Sequence, residues 1–156
     1  MNVKNRLLRM LMALLGVIVL VGCGGAYETG DYYSVNGVKG VVVTATDSVL
    51  LVVSLDEARG LNADSALAWG DGPEEWHLPS KTEIEQLWRF RSAINQTLER
   101  KGMGRIFGSH TFYWSSTECS PSHVYACGPD GVKCYFRSNK SHLYCARKVI
   151  LVPAKQ

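Results

Sequence analysis

No hydrophobic run in this 156-residue chain is long enough to cross a bilayer. The longest, Met10 to Val21, has twelve residues, whereas a spanning helix needs about 20. The cysteines at 119, 127, 134 and 145 are spaced by 8, 7 and 11 positions. They contain no Cys-x-x-Cys pair, which argues against a zinc site. The four histidines, His77, His110, His123 and His142, show no metal-ligand spacing either, so neither a metal nor another cofactor is expected. A glycine-rich phosphate loop, a carboxylate pair and a Ser/His/Asp arrangement are also missing. No catalytic residue is nominated, and the chain reads as a non-enzyme. Internal repeats and low-complexity segments are absent. Once residues 1–22 are set aside, net charge is missing too. The formal +3 rests on Lys4, Arg6 and Arg9, and the remainder balances 14 cations against 14 acids. A nucleic-acid partner therefore has no electrostatic support.

What is present begins with the leader. Three cations, a short apolar stretch and small residues make residues 1–22 a secretory signal peptide. Its end, Leu20-Val21-Gly22-Cys23, resembles the bacterial lipoprotein signal. The resemblance implies cleavage before Cys23, lipid on that cysteine and membrane attachment through it. Gly24 stands where an aspartate would resemble an inner-membrane retention signal. The expected location is therefore the cell envelope, lipid-anchored, at the outer membrane. Residues 23–30 form a short tether, and residues 31–156 make one domain with a sizeable core. Charge is uneven along it. Residues 23–99 carry 5 cations and 12 acids, and residues 100–156 carry 9 and 2. The basic half either attracts an anionic ligand or neutralises the acidic half across the fold.

The expected fold class is α+β. Tyr32–Val35 and Val38–Thr44 flank Asn36-Gly37, a strong hairpin signal because both turn residues tolerate positive φ. Val49–Ser54 reads as a buried strand. Residues 55–75 are poorly patterned, with a short turn of helix at Asp56–Arg59 and a loop around Gly70–Pro73. One main helix is predicted over about 80–101. Ser80 and Glu83 form its capping box, and Ile84, Leu87, Trp88, Ile94 and Leu98 mark its buried face. Strands are expected again at Thr111–Ser115, Val124–Cys127, Val132–Phe136 and Leu143–Val152, with turns at 128–131 and 138–141.

Two segments carry a family likeness. Trp76-His77-Leu78-Pro79-Ser80-Lys81-Thr82-Glu83-Ile84 and Tyr113-Trp114-Ser115-Ser116-Thr117-Glu118 resemble motifs of bacterial surface domains related to the C-terminal domain of collagen-like adhesins. The closing Tyr144-Cys145-Ala146-Arg147 keeps their final strand motif only in part. That family is similar to the C-type-lectin-like fold shared with formylglycine-generating enzymes. The likeness implies a small twisted antiparallel β core, one or two helices, long loops and termini that pair in one sheet. Val41–Thr44 is then expected beside Lys148–Val152, with Trp76 and Trp114 as core aromatics. Some lipoproteins of this kind are variable proteins of diversity-generating retroelements, a further resemblance that would place variable residues near the C-terminus.

After Cys23 an even number of cysteines remains in an oxidising compartment, so two disulfides are expected. A tight hairpin centred on Asn139-Lys140 would set Cys134 opposite Cys145, leaving Cys119 with Cys127. Between Cys119 and Tyr144 lie His123, Tyr125, Tyr135, Arg137, Asn139, Lys140 and His142, side chains that recognition surfaces favour. They are the candidate ligand residues, for a protein or an anionic glycan. The competing reading is a structural subunit of a surface or fimbria-like assembly, recognisable by an apolar patch or an open strand edge.

Overall fold

The computed structural model describes residues 26–71, 75–108, 110–136 and 142–155. Among these the protein is α+β and mostly β, with nine strands in two sheets and three short helices. The leader and Cys23 lie outside the described residues. Among the described residues no helix is long and apolar enough to cross a membrane.

The first sheet contains β1 (Tyr32–Val35), β2 (Val38–Ala45), β3 (Val49–Ser54) and β9 (Val149–Pro153), in the order β1-β2-β3-β9. Asn36 and Gly37 turn the first hairpin with φ of 50° and 84°, as the Asn-Gly signal requires. Both faces of this sheet are buried. Val41, Val43, Leu51 and Val53 point to one cluster, whereas Val42, Leu50, Val52 and Ile150 point to another. Two buried faces explain why β2 and β3 read as unbroken apolar runs. β9 pairs with β3, not with Val41–Thr44, so the two terminal strands share a sheet but occupy opposite edges.

The second sheet has the order β4-β8-β5-β6-β7. Its strands are β4 (Ala58–Leu61), β5 (Tyr113–Ser120), β6 (His123–Gly128), β7 (Gly131–Phe136) and β8 (Tyr144–Ala146). The run expected as one strand over Leu143–Val152 is thus divided between the sheets. The chain leaves β8 at Arg147-Lys148 and enters β9 in the other sheet. Asp56–Arg59 is not helical, because Ala58 is already in β4. A helix the sequence concealed, α1 (Ala63–Gly70), follows, capped by Asn62 accepting from the Ser65 N–H at 2.9 Å. It is short, and its alanines bury a face without a strong period, which left its signal weak.

The predicted single helix is two, α2 (Lys81–Arg89) and α3 (Arg91–Arg100), broken at Phe90. Arg91 donates to the Trp88 carbonyl at 2.7 Å, and its guanidinium lies 3.8 Å from the Trp88 ring. A side chain thus satisfies a carbonyl at the break and covers the indole beside it. The capping box at Ser80 forms as expected. The apolar stripe is also real: Ile84, Leu87, Ile94 and Leu98 fill the core between the sheets. Two buried polar groups fix α3 in place. Asn95 exchanges hydrogen bonds with the backbone of Ile106, and Thr97 donates to the Gly30 carbonyl at 2.5 Å.

The two motif segments are bonded to each other. Ser116 N–H donates to the Pro79 carbonyl at 2.8 Å, and Lys81 N–H donates to Thr117 Oγ1 at 2.9 Å. Trp114 is fully buried and donates to the Leu61 carbonyl at 2.8 Å. Trp76 is only half-buried.

Candidate functional site

Strand periodicity divides the predicted ligand residues. Side chains alternate between faces, and directly paired residues share one. Tyr125 pairs with Cys134, and its ring faces Lys81 of α2 at 4.9 Å. His123, two residues earlier on the same strand face, places Nδ1 2.9 Å from Ser122 Oγ and 3.1 Å from Ser120 Oγ. Tyr135 pairs with Val124 and therefore lies on the opposite face, with Trp114. His142 joins Tyr135 there. Arg137, Asn139 and Lys140 lie outside the described residues, as does the turn expected at 138–141.

On that second face five rings form a wall. Tyr144 stacks on Phe112 at 4.8 Å and on its other neighbour His142 at 5.7 Å, with interplanar angles of 23° and 22°. Tyr135 meets Phe112, Trp114, His142 and Tyr144 edge-on at 5.3–6.3 Å. Stacked and edge-to-face pairs at these separations add to area burial. Gly128 makes the wall possible, since a Cβ there would sit 2.2 Å from the Phe112 ring. Leu143, between His142 and Tyr144 in the chain, is 54% exposed. His142 Nδ1 is buried and has no hydrogen-bond partner among the described residues. Burial raises both phenols, Tyr135 and Tyr144, above the ordinary value, with Asp130 and Cys127 adding to the first and Tyr135 to the second. At neutral pH both are hydroxyl donors.

The cysteines correct the expected pairing. Cys119 is bonded to Cys134, with Cα atoms 6.2 Å apart, and Cys127 and Cys145 are free thiols. Tyr113 pairs with Cys127 on one side and with Cys145 on the other, so the Cα atoms of those two cysteines are two strand spacings, about 10 Å, apart. A disulfide cannot span that. β6 also lies between β5 and β7, yet 119 and 134 meet. Register breaks between Trp114 and Glu118 and between Glu118 and Ser120 interrupt the β5–β6 ladder on both sides of Glu118 and leave Cys119 out of its register, where it reaches Cys134 of β7. Sequence spacing contains no trace of those bulges.

A second feature the sequence did not disclose is a buried ion pair behind the sheets. Arg147 is 4% exposed, and its Nε is 3.1 Å from Glu57 Oε2. Its remaining donors reach the carbonyls of Ser54, Leu55 and Gly104 at 2.9–3.2 Å. Tyr113 donates its hydroxyl to the same Glu57 oxygen, and Arg59 binds the other at 2.5 Å. This knot ties the point where the chain changes sheets to the loop after β3. Among the described residues no group of three His, Cys, Asp or Glu side chains is placed to hold a metal ion.

Acid should loosen the fold through two carboxylates. Burial alone would raise Glu57, but the hydrogen bond from Tyr113 and the charge and hydrogen bonds of Arg147 and Arg59 outweigh it and hold it below the ordinary 4.5. Glu83 is likewise raised by burial and lowered further by Ser80 and His77, to a net value below 4.5. Folding lowers both, so the unfolded chain binds more protons as pH falls through 4.5. Their contribution is complete above that value and lost progressively below it. Urea denaturation across the acid range should show this slope, shallower in Glu83→Gln; an unchanged slope in that variant would refute its part.

The chain matches no protein-family model and no curated protein.

Proposed function

We propose that this is a lipid-anchored, C-type-lectin-like binding module of the bacterial cell envelope, without catalytic activity, that holds a protein partner on the ring wall. One observation carries the proposal: the half-buried rings of Phe112, Tyr135, His142 and Tyr144 stand together, with Tyr135 on a strand stapled by Cys119–Cys134. Rigid aromatic area with few rotatable bonds is what interface hot spots use. The C-type-lectin-like reading draws on the motifs of residues 76–84 and 113–118, and on the hydrogen bonds that join them. Membrane attachment through Cys23 and outer-membrane placement follow from the lipoprotein resemblance.

Tyr144→Ala should weaken the partner about 30-fold or more, as hot-spot truncation does. Affinity capture from detergent-solubilised envelope, wild type against Tyr144→Ala, measures this. Equal capture by both would sink the wall as the binding face. The anionic-glycan alternative is tested on a glycan array: binding that survives Arg137→Ala with Lys140→Ala counts against it. An adjacent reverse transcriptase gene with a near-copy of the last third of the coding sequence would identify a retroelement-diversified receptor.

One observation favours the assembly-subunit reading. Val49 and Leu151, 40% and 54% exposed, lie on the paired strands β3 and β9, and β9 ends its sheet. Pro153 weakens that edge as a template, since it has no N–H to offer.

A further inference from the structure

The geometry points to a second ligand site, a cleft that takes an acidic saccharide. It shares no residue with the ring wall, so it stands or falls separately from the reading above. A cleft of about 650 Å³ opens where the first hairpin, the segment after β3 and the start of β9 come together. Its walls include Trp69 of α1, Trp76, Lys39, Lys148, Asp56 and Met103. Pockets of roughly 300–1,000 Å³ are the size that takes small organic ligands.

The walls are fixed before any ligand arrives. Trp76 and Lys148 precede the two residues of an isolated bridge, His77 and Val149, whose backbones exchange hydrogen bonds at 2.9 and 2.8 Å. Lys148 is also tied to Ser54: its carbonyl accepts from the Ser54 N–H at 2.9 Å, and its N–H donates to Ser54 Oγ at 3.2 Å. Each indole is half-buried, Trp76 against the outer face of the first sheet and Trp69 against the cluster under α1. The Lys148 ammonium stands 4.7 Å from the centre of the Trp69 ring. A cation is thus held beside an aromatic face.

Charge then selects the ligand. Glu57 also lines the cleft, but both its oxygens are bound by Arg59, Arg147 and Tyr113. That leaves Lys39 and Lys148 against exposed Asp56, an excess of positive charge. The Trp76 indole is there for the C–H side of a pyranose ring, the lysines, Lys148 backed by the Trp69 ring, for a carboxylate, and Asp56 accepts from sugar hydroxyls. A uronate unit satisfies all three. A neutral sugar leaves the lysines unmatched, and a bare anion leaves the Trp76 indole unused.

The test is titration of the detergent-solubilised full-length protein with sodium D-glucuronate, followed by calorimetry and tryptophan fluorescence. Saturable binding with a fluorescence change is expected, with D-glucose and inorganic sulfate each at least about tenfold weaker. Lys39→Met, on the exposed hairpin, and Lys148→Met should each weaken glucuronate about tenfold. Trp69→Phe reports on the indole without emptying its packing site. Tyr144→Ala should leave glucuronate binding unchanged while weakening partner capture, which separates the two sites. The proposal is overturned if glucuronate does not bind, if glucose or sulfate binds as well, or if the lysine variants bind like wild type.

Discussion

Arg147→Met is expected to destabilise the domain by about 3–5 kcal/mol, the range for breaking a buried ion pair by removing one partner. The arginine side chain is 4% exposed and its carboxylate partner 7%, so little water can take over its role. Its loss strands more than one group. Glu57 keeps Arg59 and Tyr113, but the carbonyls of Ser54, Leu55 and Gly104 lose the donors they now have. Methionine matches much of the stem and none of the hydrogen bonds. Lysine should rescue only a small part, because one ammonium cannot serve the carboxylate and three carbonyls of a planar fork. Equilibrium urea unfolding measures the change. Glu57→Gln combined with Arg147→Met should be less than additive, since the two residues are one network. A loss below about 1 kcal/mol in Arg147→Met, the ordinary value of an exposed pair, would contradict the buried knot.

What the sequence made legible is what local physics decides. Asn36-Gly37, the Ser80–Glu83 box and the apolar runs at 41–43 and 50–53 each carry their own cause within a few residues. They appear where expected. What stayed hidden depends on residues far apart. Nothing near residue 90 announces that Arg91 fits the Trp88 carbonyl and ring, so the helix read as continuous. Leu143–Val152 reads as one strand because both halves are apolar, and only the knot at Arg147 shows why the chain changes sheets between them. The candidate site divides in the same way. Composition between 119 and 144 pointed to recognition residues, but strand alternation sends His123 and Tyr125 to one face and Tyr135 to the other. Phe112, which completes the wall, is not among the expected ligand residues, although its place just before the Tyr-Trp-Ser-Ser motif is a usable signal. The cleft residues come from six separate segments, a pattern that spacing does not reveal.

Opening the Cys119–Cys134 bond should lower stability by about 3 kcal/mol, the loop-closure value for a loop near 15 residues. The effect is expected in Cys134→Ser and equally in Cys119→Ser, because either removes the same cross-link. It should be absent in Cys145→Ser beyond the small change of a half-buried side chain. The bond does local work as well: Cys134 adjoins Tyr135, so its loss frees β7, an edge strand, to move against β6. The ring wall should then lose edge contacts, and the near-ultraviolet circular dichroism of its aromatics should weaken before global unfolding. The free thiols give an independent reading. Cys127 is buried, and its thiol is pushed up to about 12 by that burial and by Glu85, against a smaller opposing effect of Arg91. Cys145 is raised by burial and by Glu57. Neither is a good thiolate at neutral pH, so alkylation of the folded protein should be slow at both and fast after denaturation. Peptide mapping of the protein, alkylated while denatured and unreduced, should recover 119 joined to 134 with label on 127 and 145. A peptide joining 134 to 145 would overturn the pairing, and with it the claim that Cys119, out of register in β5, reaches β7.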